Sequence, residues 1–342
     1  MSSSSLWLRA GSLLLLALAA AVQAEEAPPA AAAAPPTPAA TLAPAPTRSA
    51  EQQEALKREL PAEQQTQLQA GDESFLALLR PSIPAKARGI LILVPGDGES
   101  ADWPNVVAPL RNDLPNYGWD TLSLSLPDPY DPLAALRRST AAADSDAQAT
   151  AEQTPPPVTG GSGTAPTPQT QAEAGSGEPA QAATAPVDPE ALANAHAERV
   201  LAHLAAGIDL ALQQGTKPII LVGHGTGAYW AARYLAEKEP SEIHQLVLID
   251  GSEPRDMPSR LVASMGKSDL QIADLVRQPN SAAAVSRKDR ASQKGNKNYR
   301  QIELPVHFGD RADEQQQIMR RLRGWLDHLA PAPAASGSPA GS

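Results

Sequence analysis

The chain has 342 residues, a formal net charge of −10 at neutral pH and no cysteine. The negative charge argues against nucleic acid as the main partner, because proteins that bind nucleic acids present clustered positive charge to the phosphates. The lack of cysteine excludes disulfides, so a folded domain has to be stabilised by an apolar core.

The first residues have the pattern of a secretory signal peptide. A short polar start with Arg9 precedes an apolar run over residues 13–22, and small residues at Val22 and Ala24 form a cleavage site. The run is too short for a membrane span, and no later segment approaches about 18 continuous apolar residues. We therefore expect cleavage after Ala24, a periplasmic or secreted location and no transmembrane segment in the mature chain.

Three stretches rich in Ala, Pro, Gly, Ser and Thr divide the rest of the chain. They cover residues 25–50, 139–187 and 331–342, and we predict them to be disordered because they cannot bury enough apolar surface to offset the entropy of ordering. The remaining residues, 51–138 and 188–330, suffice for a single domain. The middle stretch is then an insertion looped out of that domain.

Along the predicted domain, apolar runs typical of strands alternate with segments of helical spacing. Residues 51–69 form a polar segment predicted to be helical and broken at Pro61. The predicted strands cover residues 75–79, 88–94, 119–126, 218–222, 245–249, 270–276 and 299–304. The predicted helices cover residues 103–117, 228–236, 281–292 and 314–329, and a further helix begins at Asp188. This alternation predicts an α/β fold with a doubly wound, mostly parallel sheet flanked by helices.

Residues 223–227 read Gly-His-Gly-Thr-Gly and follow a predicted strand. The spacing is typical of the nucleophile elbow, a sharp strand-to-helix turn with the motif Gly-x-Ser-x-Gly. Gly225 occupies the position of the serine at the apex of the turn, and glycine has no side chain that could attack a carbonyl. Gly223, His224, Thr226 and Gly227 complete the elbow, so the sequence predicts the turn without its nucleophile.

Three landmarks in chain order resemble the α/β-hydrolase superfamily. They are the loop Pro95-Gly96-Asp97-Gly98 after an early buried strand, the glycine-rich elbow, and His307 just after the last strand. Within the superfamily, the chain resembles an exported bacterial family classed as a domain of unknown function. The residues that carry this second resemblance are 74–78, 101–104, 118–127 and 321–326.

The resemblance to the superfamily implies an incomplete catalytic triad. His307 would be the base, and the acid would be Asp274 or Asp250, each of which is compatible with the chain order of acid before histidine. We expect Asp274, because it lies on the strand that most often supplies this residue, although a carboxylate there could equally pair locally.

The oxyanion hole implied by the resemblance needs only backbone donors. These would be the N–H of Thr226 and one N–H from Asp97 or Gly98. Such donors require no particular side chain, so they could survive the loss of the nucleophile.

Three residues could replace the missing serine, and none is favoured by its spacing. Thr226 neighbours the apex, but its side chain is expected to turn into the start of the helix, and Ser100 and Ser252 are expected in ordinary loops. We expect His224 to face the core and not to act as a ligand. No spacing typical of a metal site or a Walker-type phosphate loop is present, so no metal or cofactor is expected.

Six basic residues cluster near the C-terminal end of the predicted domain. The usual explanation is the solvated face of a helix, and the alternative is contact with anionic lipid or cell-wall polymer. The residues are Arg287, Lys288, Arg290, Lys294, Lys297 and Arg300.

Two hypotheses of different class follow. In the first, the chain is a non-catalytic hydrolase fold of the bacterial envelope that binds a small acyl or cell-envelope ligand or a protein partner, as Gly225 suggests. In the second, it hydrolyses esters or amides through an atypical nucleophile or an activated water with His307 as the base. The sequence names no substrate, since fold alone does not determine function.

Overall fold

The computed structural model describes residues 46–133, 188–215, 218–255, 257, 260–265, 270–305 and 311–329, and every structural statement below concerns this part of the chain. The expected signal peptide, the insertion 139–187 and the tail 331–342 lie outside these residues. Within the described ranges, no helix combines the length and the apolar character needed to cross a membrane.

Eight strands form a single sheet. They are β1 (Gln65–Ala70), β2 (Glu73–Arg80), β3 (Gly89–Val94), β4 (Trp119–Leu124), β5 (Ile219–His224), β6 (Gln245–Ile249), β7 (Gln271–Val276) and β8 (Tyr299–Glu303). Their order across the sheet is β1-β2-β4-β3-β5-β6-β7-β8. β1 pairs antiparallel with β2 and β2 with β4, and all other neighbouring strands are parallel.

Seven α-helices accompany the sheet in the described residues. They are α1 (Arg48–Glu59), α2 (Val107–Asp113), α3 (Pro189–Gln213), α4 (Thr226–Lys238), α5 (Leu261–Ser264), α6 (Ala282–Gln293) and α7 (Arg311–Leu329). Side-chain oxygens of Thr47, Asp188 and Ser281 cap α1, α3 and α6 by accepting hydrogen bonds from backbone N–H groups of the first turn. The start of α3 at Pro189 confirms the capped helix predicted from Asp188.

The central strands are buried because helices cover both faces of the sheet. β3 and β5 consist largely of Ile, Leu and Val with almost no exposed surface, as expected for parallel strands. Residues of α3, α4 and α5 pack against one face, and residues of α2 and α7 pack against the other. The mostly parallel sheet flanked by helices confirms the predicted fold class, and it places the ends of β3, β5, β6 and β7 along one edge.

The first part of the domain differs from the prediction. Helix α1 begins at Arg48, so the predicted disordered stretch 25–50 extends too far, and the helix ends at Glu59. The remainder of the predicted helical segment contains a short 3₁₀ turn over Ala62–Gln64 followed by β1. β1 reads Gln-Thr-Gln-Leu-Gln-Ala, which is too polar to stand out as a strand. It forms because all six residues pair with β2, so the tertiary partner outweighs local propensity.

Candidate functional site

The predicted elbow is formed between β5 and α4. Gly225 adopts φ 55° and ψ −124°, a backbone conformation that residues other than glycine rarely adopt. Its N–H donates to the carbonyl of Ile249 (3.0 Å), and its carbonyl accepts from the N–H of Ser252 (3.0 Å). A Cβ at Gly223 or Gly227 would overlap neighbouring backbone atoms, which explains why both flanking positions are glycine.

The apex of the elbow faces open space. A Cβ built on Gly225 would have one described neighbour within 4 Å, the hydroxyl oxygen of Ser252 at 3.8 Å. The surrounding space would therefore admit a side chain, although the positive φ would strain any residue other than glycine, and the present residue supplies no side chain. Ser252 is exposed, and its hydroxyl lies beside the place that a nucleophile at the apex would occupy.

The loop after β3 is bonded to the elbow through Thr226. The N–H of Asp97 donates to the Thr226 hydroxyl oxygen at 2.6 Å. The threonine side chain thus reaches across to this loop, contrary to the expectation that it would turn into the start of α4. As a result, the Asp97 N–H, one of the two alternatives for the second oxyanion donor beside Thr226, already has an internal acceptor.

Helix α1 covers the same loop from outside. Gly98 adopts φ 74°, and its carbonyl oxygen accepts hydrogen bonds from the side chains of Arg48 (2.7 Å) and Gln52 (3.1 Å). A Cβ on Gly98 would lie 2.7 Å from the Arg48 guanidinium. The cavity left between α1, this loop and Trp230 is about 10 Å³, which is space for about one water molecule.

The carboxyl group of Asp97 has an altered pKa. Loss of hydration raises the pKa above its usual range, against hydrogen bonds from Thr226 and Trp230 that lower it. The raised pKa gives this carboxyl a greater tendency to hold a proton than a solvated aspartate has.

His224 does not face the core, contrary to the prediction. Its Nδ1 lies 2.8 Å from a carboxylate oxygen of Glu99, and the same oxygen accepts the N–H of Gly96 at 2.7 Å. Both side chains retain a small exposed fraction, 16% for His224 and 14% for Glu99. The pair joins the end of β5 to the loop after β3 and presents an imidazole to the edge of the sheet.

Asp274, the expected acid, lies inside β7 with no exposed surface. Arg287 donates to both carboxylate oxygens, at 2.8 and 3.1 Å, and the Tyr299 hydroxyl donates at 2.6 Å. Burial and the Asp274 carboxylate together raise the pKa of Tyr299. The contacts agree with the alternative that Asp274 pairs locally. They occupy both carboxylate oxygens, which the acid of a triad would need for a hydrogen bond to the histidine. They also make Arg287 a buried ion-pair partner, not part of a solvated basic face.

Asp250, the other possible acid, lies at the end of β6 in a left-handed conformation with φ 47°. One carboxylate oxygen accepts the N–H of Arg277 at 3.1 Å, and the other lies 2.7 Å from its guanidinium. The guanidinium also lies 3.7 Å from a carboxylate oxygen of Glu314 on α7. Asp250 is therefore close to the edge where the strands end, but its charge is paired with an arginine.

A cleft of about 500 Å³ opens at this edge of the sheet. Aromatic, amide and charged groups share its wall, and the buried side-chain oxygen of Asn105 has no hydrogen-bond partner among the described residues. A buried acceptor of this kind is costly unless something donates to it. The residues used below are Trp103, Asn105, His224, Arg277 and Arg311.

The sequence from residue 5 to residue 328 matches the model of a family described as protein of unknown function, DUF3530. The chain belongs to the DUF3530 family. This agrees with the expected resemblance to a domain-of-unknown-function family with an α/β-hydrolase fold. The sequence matches none of the curated proteins.

Several solved structures are similar to this DUF3530 protein at low sequence identity. Est1E from Butyrivibrio proteoclasticus is 11% identical with a TM-score of 0.46, over 77% of this chain and 98% of its own. A dienelactone hydrolase from Anabaena variabilis is 12% identical with a TM-score of 0.45, over 78% and 100%. An alpha-beta serine hydrolase homologue from Coxiella burnetii is 10% identical with a TM-score of 0.42, over 79% and 99%.

The predicted site residues are only partly brought together in the DUF3530 chain. The elbow glycines, Thr226 and Asp97 lie in direct contact around one turn, as described above. His307 lies outside the described residues, so its role as a base stays a prediction. Ser100 lies in the loop after β3, half-buried. No group of three or more His, Asp or Glu residues within the described ranges is placed to hold a metal ion.

Four residues of the cleft used in the argument were not predicted from the sequence, namely Glu99, Asn105, Arg277 and Arg311. Glu99 and Asn105 follow the end of β3, and Arg277 directly follows β7, which are positions where ligand-binding residues concentrate in parallel sheets. That position was the available signal. The choice of partners, such as Glu99 with His224, depends on long-range packing that the local sequence does not reveal.

Proposed function

We propose that this protein is a non-catalytic member of the α/β-hydrolase fold that is exported to the periplasm or secreted and binds a small anionic ligand of the cell envelope. The observation that carries the proposal is the apex of the elbow, where Gly225 keeps the strained backbone but offers no nucleophile. Loss of the nucleophile from a serine hydrolase lowers kcat on the order of 10⁶-fold.

The bond between Asp97 and Thr226 also favours binding over catalysis. An acyl-transfer enzyme needs backbone donors that are ready for a developing oxyanion. In this chain, the threonine hydroxyl accepts one of the expected donors, and α1 bonds to the adjacent carbonyl of Gly98. A substrate oxygen would have to displace the Thr226 hydroxyl before it could be stabilised there.

The walls of the cleft support an anionic ligand. The exposed Arg311 guanidinium has no ion-pair partner among the described residues, whereas the Arg277 guanidinium at the same edge is already paired with Asp250. The buried oxygen of Asn105 can accept a hydrogen bond from a ligand donor such as an amide N–H, and the ring of Trp103 can pack against an apolar group. A small acylated amino acid or peptide with a free carboxylate satisfies all three demands.

Catalysis is tested with the purified protein, a fluorophosphonate probe and short p-nitrophenyl esters. We expect no covalent labelling and no hydrolysis above the rate in buffer, because the apex has no nucleophile. Labelling that mass spectrometry maps to Ser100, Ser252 or Thr226, together with turnover, would refute the non-catalytic proposal.

A second candidate function is hydrolysis of esters or amides with Ser252 as the nucleophile. Its support is the 3.8 Å distance between the Ser252 hydroxyl oxygen and the position of a Cβ at residue 225. In this case labelling occurs at Ser252 and is lost in Ser252→Ala, while Ser100→Ala, a loop serine after β3, serves as the control that retains it.

The engineered change Gly225→Ser tests whether the rest of a hydrolase site is preserved. If it is, Gly225→Ser gains esterase activity that the double variant Gly225→Ser with His307→Ala lacks. If Gly225→Ser folds and stays inactive, the remaining groups are not arranged as a triad and the cleft serves binding alone.

Ligand binding is tested with acetyl-dialanine, a small peptide with a free carboxylate, by following the chemical shifts of cleft amides on titration. We expect saturable shifts that Arg311→Ala weakens about tenfold, since a charged hydrogen bond contributes roughly 1.5–3 kcal/mol. Arg58→Ala, an exposed arginine on α1, is the control and should bind as the wild type does. Equal binding by both variants would remove Arg311 from the proposed site.

A further inference from the structure

A second groove, of about 460 Å³, lies between β8 and the outer face of α7. We call it the β8–α7 groove. Its lining comes from three consecutive residues of β8, Arg300 to Ile302, and from three successive turns of α7, so it is built on rigid elements and not on loops. The residues used in the argument are Arg300, Ile302, Arg320, Arg321, Gly324 and Trp325.

Positive charge without internal partners lines this groove. Arg300, Arg320 and Arg321 are exposed, and none of the ion pairs or side-chain hydrogen bonds found in the described ranges involves them. The chain as a whole carries a net charge of −10, so three unpaired arginines around one groove are a local exception. Their fields add over the groove and favour an anionic occupant.

Gly324 lies in the interior of α7, where glycine is less favourable than alanine. A Cβ on Gly324 would meet no atom of the protein within 4 Å. Neither packing nor backbone conformation of the described chain therefore requires glycine at this position. The missing Cβ leaves room on the wall of the groove for something that approaches the helix closely from outside.

β8 is an open edge of the sheet. It pairs with β7 alone among the described strands, and the N–H of Leu304 donates to the carbonyl of Val276 on that strand. Because successive residues of a strand direct their backbone groups to opposite sides, the N–H and C=O groups of Gln301 and Glu303 point away from β7. They are free to pair with another strand.

We propose that the β8–α7 groove binds an extended acidic segment of a partner protein, which adds to the sheet as a further strand next to β8. The backbone of the segment pairs with the open edge, and its carboxylates on one side meet Arg300, Arg320 and Arg321. Apolar side chains of the segment contact Ile302 and Trp325. Strand addition of this kind takes its affinity from main-chain hydrogen bonds and its specificity from alternate side chains.

Two alternative explanations of the groove fit less well. A charged residue on an edge strand often protects against aggregation, but such protection requires neither the arginines of α7 nor the glycine at 324. A two-fold contact between copies of the chain would bring the same three arginines face to face, since such interfaces use one patch on both subunits. Charge complementarity therefore selects an acidic partner.

The test uses the full chain and a fluorescein-labelled peptide of about eight residues, long enough to span a typical strand, that alternates glutamate and valine. Fluorescence anisotropy measures binding. A peptide with lysine in place of glutamate tests the charge, and the glutamate peptide with N-methylated amides along one edge tests the backbone pairing. We expect the unmodified acidic peptide to bind and both altered peptides to bind at least about tenfold more weakly, because each loses one set of pairing contacts.

Two variants of the protein distinguish the contribution of the arginine charges to peptide binding from that of the free volume of the groove. The double variant Arg320→Ala with Arg321→Ala removes two charges, and Gly324→Leu fills the groove without changing the charge. Both should weaken binding of the acidic peptide several-fold to tenfold, since exposed charge pairs contribute modestly and add. The control Arg58→Ala with Lys86→Ala removes the same charge elsewhere and should bind as the wild type does. Circular dichroism and Tm verify that each variant is folded.

The proposal is overturned by any of four results. Equal binding of the N-methylated peptide excludes strand addition, and equal loss in the control variant reduces the effect to net charge. Self-association in sedimentation experiments that Gly324→Leu abolishes assigns the groove to a second copy. Binding to phosphatidylglycerol vesicles in place of the acidic peptide assigns it to a membrane surface.

Discussion

At the scale of single residues, Asp274 was expected to be the acid of a catalytic triad, but its contacts are those of a residue that stabilises the fold. It has no exposed surface, and Arg287 and Tyr299 bind its oxygens. Two buried charges that neutralise each other tolerate the low-polarity interior only as a pair. Removing one of them leaves the other without compensation.

We therefore predict that Asp274→Asn lowers the free energy of unfolding by about 3–5 kcal/mol, because it leaves the buried Arg287 guanidinium without its counterion. Urea denaturation followed by circular dichroism measures the change. Asp289→Asn, an exposed aspartate on the same helix as Arg287, is the matched control and should stay within about 0.5 kcal/mol of the wild type. A loss below about 1 kcal/mol for Asp274→Asn would contradict a structural role.

Residues of the elbow could be predicted from the sequence because their signal is local. The spacing of Gly223 and Gly227 predicts a tight strand-to-helix turn, and in the structure a Cβ at either position would overlap backbone atoms. The contacts between His224 and Glu99 or between Asp97 and Thr226 join residues more than a hundred positions apart. Such pairs depend on how β3 and β5 align, so no local pattern reveals them.

At the scale of elements, Glu73 connects β2 to α3. Arg199 donates to one of its carboxylate oxygens at 2.8 Å, and the ring of His203 lies 3.7 Å from the same oxygen. His203 and Arg199 together lower the pKa of Glu73 to about 2, against the opposing effect of burial. The antiparallel part of the sheet is thus attached to α3 by charge as well as by apolar packing.

This depressed pKa predicts a pH-dependent contribution to stability. A carboxylate with a lowered folded-state pKa stabilises the fold above its unfolded-state pKa, about 4.3, and loses that contribution as the pH falls towards about 2. Wild type should therefore be more stable than Glu73→Gln near neutral pH, and the difference should shrink as the pH falls from about 5 to about 2. Denaturant unfolding across this range measures it. Glu59→Gln, an exposed glutamate of α1, should show no such convergence.

The elements that could be predicted are those whose stability is local or fully apolar. The strand at Gln245–Ile249 agrees with its predicted bounds, and α7 begins three residues before its predicted start at residue 314. β1 was missed because its alternation of Gln, Thr and Leu carries no apolar run, and α2 is shorter than predicted because its last turn tightens into a 3₁₀ turn at Leu114–Tyr117.

At the scale of the whole molecule, residues 134–187 separate two described segments, one that continues to residue 133 after β4 and one that begins at residue 188 before α3. The neighbouring ends of these segments lie close together, since the Tyr130 hydroxyl donates to the carbonyl of Pro189 at 3.3 Å. Closing such a gap therefore needs little chain, and the entropy of closure changes slowly with loop length. The described strands before and after residues 139–187 belong to one sheet, and the insertion of these residues into a single domain stays a prediction.

We predict that replacing residues 139–187 with a short Gly/Ser linker leaves the fold intact and changes the free energy of unfolding by less than about 1 kcal/mol, because loop length contributes only logarithmically. Denaturant unfolding and the dispersion of amide resonances measure the outcome. Loss of cooperative unfolding in the shortened chain would show that the replaced residues take part in the core.

The bond between Asp97 and Thr226 has a consequence for how this turn could change. The Thr226 hydroxyl oxygen accepts the Asp97 N–H, which would otherwise be available to an oxygen atom of a bound ligand. Replacing threonine by the near-isosteric valine would leave that amide hydrogen without an acceptor, and the turn would become a vacant receptor for small anions. The Thr226 hydroxyl oxygen thus serves as the acceptor for the Asp97 N–H and keeps this amide from binding a ligand.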